Sequence, residues 1–225
     1  MCTVTYLPLG NNDFILTSNR DEQPSRKTIS PKEYVEEGIV LTYPKDVLAG
    51  GTWIGLSSKN RLVCLLNGGF ESYEREASYK MSRGIIVKAM LKSDDFIAYI
   101  KNVDLNGIAP FTIVLVDWNA ELSAYELVWD GEKQHFSELK QEPKIWSSST
   151  LYTQEEKELR KMWFAKWLEN HQEFTQEDIL KFHHNAEIGT LGNSLKMKRD
   201  YVETRSVTSV KKEASGIEMN YFSLI

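Results

Sequence analysis

The chain has 225 residues and a net charge of −5, from 27 basic and 32 acidic side chains. That balance argues against a general nucleic-acid surface and supplies no polybasic membrane patch. Two cysteines exclude a disulfide framework, and no apolar run approaches the roughly 20 residues of a membrane span. In chain order, β-like runs at 3–7 and 14–17 flank Pro8-Leu9-Gly10-Asn11-Asn12-Asp13, a turn-rich interval, and predict a hairpin. Residues 23–38 are polar, with Pro24 and Pro31, and read as an irregular excursion. A strand is expected at 39–43, and a second hairpin at 53–57 and 62–67 turns around Ser58-Lys59-Asn60.

Helices follow at 82–91 and from the Ser93 cap to about 102. Ser82 reads as a cap, not a nucleophile. Runs at 111–117, 125–129, 135–139 and 144–149 are split by turn signals and predict an antiparallel meander. Thr153 and Glu156 form a capping box for the longest helix, whose stripe is Leu159, Met162, Trp163 and Trp167. Thr175 opens a short helix, residues 185–197 read as a loop, and strands return at 201–211 and 217–225. Helices flanking two groups of strands imply an α+β fold, a four-layer αββα sandwich with mainly antiparallel sheets, as a single domain over 1–225.

The hairpin returns the chain to its start, so Asn19, Arg20 and Asp21 are expected beside Cys2. Loss of Met1 would give Cys2 a free α-amine of pKa about 7.7–8.0, close to the roughly 8.5 of a thiol. One residue then supplies both nucleophile and base. Asp21 would orient the amine, and Arg20 would favour the thiolate or hold an acidic substrate group. Taken singly, Cys2 reads as a packed thiol and Asn19-Arg20-Asp21-Glu22 as a cap with a solvated charge run; the two joined by a hairpin point to the nucleophile. Cys64 lies in an apolar run and reads as an inert core thiol. Asn67-Gly68-Gly69 ends a buried strand, either as an oxyanion-binding amide pair or as an ordinary turn. Arg205, mid-strand, either faces a cleft or sits at an edge paired with Glu203. Neighbouring His183 and His184 point apart on a helix, and no metal site or other cofactor is expected.

Met1-Cys2 with Ser18-Asn19-Arg20-Asp21-Glu22 resembles the NRDE family, of the transport-and-Golgi-organisation 2 type. Gly50-Gly51-Thr52-Trp53-Ile54-Gly55, Ser82-Arg83-Gly84 and Thr204-Arg205-Ser206 match further family motifs in order, and Leu66-Asn67 sits where the family has Thr-Asn. The resemblance implies the fold of N-terminal-nucleophile hydrolases, with family roles proposed in secretory-pathway organisation, lipid metabolism and haem handling. A more distant likeness is to bile-salt hydrolases and penicillin V acylases, which follow their cysteine with Arg-Asn-x-Asp; Ser18 stands where that arginine would be. Ser149 stands where those acylases place an oxyanion-binding asparagine, and Arg205 matches an arginine near their nucleophile. The resulting expectation is hydrolysis of a linear amide or thioester. Cys2, Arg20, Asp21, Asn67, Ser149 and Arg205 would do the chemistry, while Asn19 and Trp53 would touch substrate. The competing expectation is a binding or trafficking protein for a hydrophobic ligand such as a lipid, acyl-CoA or haem. A glutaminase domain also begins Met-Cys, but this chain lacks its Arg-Gly-x-Asp string. With no signal peptide before Cys2, a reducing cytoplasm is the expected setting. Partners are then a small-molecule substrate or that hydrophobic ligand, with no nucleic acid and no membrane span.

Overall fold

A computed structural model describes residues 3–224. The chain divides into two compact units, residues 1–25 with 141–225, and residues 26–140. The first unit is built on a five-stranded sheet, and the hairpin at its start is the predicted one. β1 (Thr3–Gly10) and β2 (Asp13–Glu22) pair antiparallel, with Thr3 opposite Asn19. Asn11 and Asn12 take the positive φ that the tight turn demands. The sheet order is β10-β1-β2-β11-β12, adding β10 (Lys144–Ser147), β11 (Glu203–Glu213) and β12 (Gly216–Ser223).

Helices α3 (Gln154–Glu169) and α4 (Gln176–His183) belong to this unit. Thr153 and Glu156 close the expected capping box. The buried face of α3 differs from the expected stripe. Arg160 and Phe164 are its buried residues, and Met162 is exposed. Phe164, Ile179 and Phe182 pack with Leu7, Ile15, Ile145 and Leu195 as the apolar core, and Trp163 and Trp167 lie against it.

The second unit is a seven-stranded antiparallel sheet in simple chain order. It comprises β3 (Thr28–Glu36), β4 (Ile39–Asp46), β5 (Ile54–Ser57), β6 (Arg61–Asn67), β7 (Phe111–Asp117), β8 (Ser123–Trp129) and β9 (Gln134–Glu138). β3 corrects the expected irregular excursion: it is an edge strand, mostly exposed and interrupted between Ile29 and Lys32, so it lacks a strand's apolar alternation. The meander corrects likewise. β7, β8 and β9 run together, but β10 leaves to pair with β1 in the other sheet.

α1 (Arg83–Lys92) packs on β5 and β6, burying Ile86, Val87, Met90 and Leu91. Ser82 caps it, as expected. Ser93 is its C-cap, and α2 (Phe96–Asn102) starts from Asp95 instead. Arg61, buried on β6, donates to the carbonyls of Met90 (2.9 Å) and Ser93 (2.8 Å) and pairs with Asp117. It thereby satisfies carbonyls that the end of α1 leaves over. No helix among the described residues is long and apolar enough to cross a membrane.

Candidate active site

The polar end of β2 is held from three sides. Asn19, Arg20 and Asp21 are all buried although they lie at the end of a strand. Asn19 donates to the carbonyls of His183 (3.0 Å) and Leu195 (2.7 Å), while its Oδ1 meets His183 Nδ1 at 2.6 Å. Since both amide protons are committed, Oδ1 must accept and His183 Nδ1 must carry the proton. His183 Nε2 is then left to accept from Thr5 Oγ1 at 2.8 Å. Burial, helped by the nearby His184 and Arg160 charges, pulls the His183 pKa down to about 3, so the ring is neutral. With both ring nitrogens bonded to protein, His183 has no lone pair left for haem or a metal. No group of three or more potential ligands gathers among the described residues.

Asp21 is gripped by two hydroxyls. Tyr152 donates to its Oδ2 at 3.0 Å and Thr204 to its Oδ1 at 2.7 Å. Thr204 in turn accepts from the Met197 amide at 2.9 Å. The register places Thr204 opposite Asp21 and Ser206 opposite Arg20, so Arg205 is an extra residue in β11, a β-bulge. The two-residue alternation of a regular strand therefore breaks at Arg205. Thr204 serves the Asp21 face, and beyond the bulge Ser209 bonds Thr17 on that same face at 2.9 Å. Arg205 itself is partly buried and ion-paired with Glu203. It is paired as the edge reading expected, yet it stands in an interior strand.

Arg160 was not among the expected site residues. Its guanidinium is fully buried, stacks 3.7 Å from the centre of the Tyr152 ring, and donates to the carbonyls of Asn193 (3.1 Å) and Ser194 and to Thr3 Oγ1. One cation thus ties the start of β1 to the tyrosine that holds Asp21. An arginine within an amphipathic helix reads as surface, which is why periodicity passed over it. Lys157, one turn earlier on α3, is also new: its ammonium donates to Ser149 Oγ at 2.7 Å.

The first unit therefore brings together Asn19, Arg20, Asp21, Thr204 and Arg205, and holds Ser149 on Lys157. By strand alternation Ser18 and Arg20 share the face opposite to Asn19 and Asp21. Cys2 lies outside the described residues; its covalent neighbour Thr3 is the one paired with Asn19 and bonded to Arg160. Asn67 and Trp53 belong to the second unit. Asn67 ends β6 opposite Phe111, ahead of Gly68 with its positive φ, and Trp53 is buried beside β5.

The family model of Transport and Golgi organisation 2 matches residues 1–220. The chain belongs to that family. It is 32% identical over 135 residues to the Transport and Golgi organization protein 2 homolog of Bos taurus. That alignment covers 54% of this chain and 47% of the bovine protein, about half the length of that relative.

Solved structures show the fold. A Caenorhabditis elegans N-acylethanolamine-hydrolyzing acid amidase ortholog superposes with TM-score 0.64 at 12% identity, over 92% of both chains. Penicillin V acylase from Agrobacterium tumefaciens gives 0.54 at 13% identity, covering 99% of this chain and 86% of its own. A variant of conjugated bile acid hydrolase from Clostridium perfringens gives 0.52 at 10%, covering 99% and 92%. The family member thus has the α+β fold of N-terminal-nucleophile hydrolases, as expected.

Proposed function

We propose that this protein is an N-terminal-nucleophile hydrolase of linear amides, with Cys2 as nucleophile after removal of Met1. The observation that carries the reading is Asp21. It is a buried carboxylate fixed by Tyr152 and Thr204, on the strand that lies alongside the start of β1. A carboxylate so placed is suited to anchor an α-ammonium one residue before Thr3. Arg20, on the opposite face of β2 from Asp21, is suited to favour a thiolate or to hold an acidic substrate group.

In the reaction, the Cys2 sulfur attacks the acyl carbon and its proton passes to the α-amine. The C–N bond breaks as that proton goes to the leaving amine, and water then hydrolyses the thioester. Ser149 is proposed to steady the oxyanion, because an ammonium donating to its Oγ strengthens its own O–H as a donor. Arg205 is assigned the acidic part of a substrate. Asn67 as an oxyanion donor and Trp53 as a substrate contact rest on the family likeness, whereas Asn19, whose amide is fully used within the protein, is proposed to position β2 and not to touch substrate.

The experiment is intact-mass measurement of the purified protein followed by amine release from a panel of N-acylated amines. Loss of Met1, with turnover that Cys2→Ala lowers at least about a thousandfold, is the expected result. Unchanged turnover in Cys2→Ala would remove the catalytic role. The departures at Ser18 and Ser149 from the acylase pattern favour a second reading, a carrier of a hydrophobic ligand on the same fold. Retention of Met1 together with saturable ligand binding would select it, since an acylated nitrogen cannot act as base.

A further inference from the structure

The Ser82-Arg83-Gly84 motif takes no part in the chemistry above, yet its geometry is tightly specified. A Cβ on Gly84 would lie 2.7 Å from the Thr52 carbonyl oxygen, and one on Gly51 would lie 2.8 Å from the Gly84 carbonyl carbon. Two glycine-bearing segments therefore cross in backbone contact, and the crossing fixes where α1 begins and where Arg83 stands. Beside it opens a cleft of about 280 Å³ lined by Arg83, Arg75, Tyr73, Tyr79, Ser82, Glu76 and Arg26, among others.

The cleft is rich in donors. Arg83 donates to the Pro110 carbonyl (3.0 Å) and the Tyr73 hydroxyl (3.2 Å), which uses only part of its five N–H groups. Burial pulls its pKa down, and the neighbouring Arg75 guanidinium adds repulsion in the same direction. Arg26 is already neutralised by Asp46 at 2.7 Å. Glu76 is the carboxylate of the lining, but among the described residues no ion pair joins it to Arg83 or Arg75.

The three hydroxyls add to this surplus. Tyr73 Oη accepts from Arg83, Tyr79 Oη from the Glu76 amide at 2.9 Å, and Ser82 Oγ from the Gly84 amide at 3.3 Å. Each oxygen is used as an acceptor, and among the described residues no bond takes its proton. Two repelling guanidiniums and three hydroxyl protons in one cleft match a ligand that offers only acceptors and carries negative charge.

We propose that this cleft binds the oxoanionic group, carboxylate or phosphate, of a small-molecule ligand, with Arg83 and Arg75 as its charge partners and Tyr73, Tyr79 and Ser82 as hydroxyl donors. The site is complete within the second unit and does not rest on the Cys2 reading. The test is NMR titration of the full chain with methyl phosphate and, separately, acetate, following amide shifts at Tyr73, Arg83 and Gly84. Saturable shifts localised there are expected. Arg83→Gln should weaken binding about tenfold or more, and exposed Arg75→Gln about threefold. Glu76→Gln should tighten it by about twofold, because it removes a like charge from the site. Response to methyl phosphate alone assigns a phosphate site, response to acetate alone a carboxylate site, and response to both a general oxoanion site. No saturable shift with either probe overturns the proposal, as does binding that both arginine variants leave unchanged. Should Arg83→Gln fail to fold, Arg75→Gln, which removes no bond within the protein, decides between these outcomes.

Discussion

Arg160 and Arg83 pose one physical problem, a guanidinium drawn away from water, and solve it in opposite ways. Arg160 spends its donors on two loop carbonyls and the Thr3 hydroxyl and covers a face with the Tyr152 ring. Arg83 keeps donors in hand beside a second cation, in a cleft open to solvent. A saturated buried cation is a fastener, whereas an unsaturated one is half of a binding interaction. The contrast makes distinct predictions about stability and about ligands.

The sharpest break would come at Arg160. Arg160→Met strands three acceptors in a dry environment and frees the start of β1. It should cost about 3 to 5 kcal/mol in urea unfolding. A loss below about 1 kcal/mol would mean that the network is dispensable. Next comes the crossing that sets Arg83. Gly84→Ala in an exposed helix would be mildly stabilising, but here the added Cβ meets backbone atoms of Thr52. We expect a loss of about 2 to 3 kcal/mol, read as a lower thermal midpoint.

The third effect is a pH dependence. His183 has a folded-state pKa of about 3, and the unfolded chain binds that proton near pH 6.5. Its contribution is fully present above that value and is lost as pH falls from about 6.5 towards 3. Urea unfolding should therefore show about 2 kcal/mol lost between pH 7 and 5, and a visibly flatter dependence in His183→Gln. The smallest effect is at Tyr152. Tyr152→Phe keeps the ring under Arg160 and deletes one donor to Asp21. It should cost about 1 kcal/mol of stability, and a larger proportional loss of amide turnover would tie Asp21 to catalysis.

Much of the architecture was legible because local signals and packing agree. The β1–β2 hairpin has its asparagine turn, α3 its capping box, and α1 its serine cap. β3 was hidden because an exposed edge strand has no need of apolar alternation, and Pro31 masks it further. The passage of β10 to the other sheet leaves no local trace, since a strand's sequence does not name its partner. At the site, Asp21 and Asn19 could be placed on β2, but their partners come from residues more than 130 positions away in the chain. Arg160 and Lys157 carry no signal of their own in a polar helix, where charges are ordinarily solvated. Periodicity counts apolar residues and cannot see a cation that packs on an aromatic ring.

The extra residue at Arg205 divides one long strand into two independent halves. Thr204, ahead of it, is spoken for by a carboxylate, while Val207 and Val210, behind it, answer only to the interior. Because the kink absorbs the offset, drift in either half need not be matched in the other. An insertion that would elsewhere throw a β-strand inside out serves here as a joint, letting the chemistry at one end change while the scaffold at the other stays put.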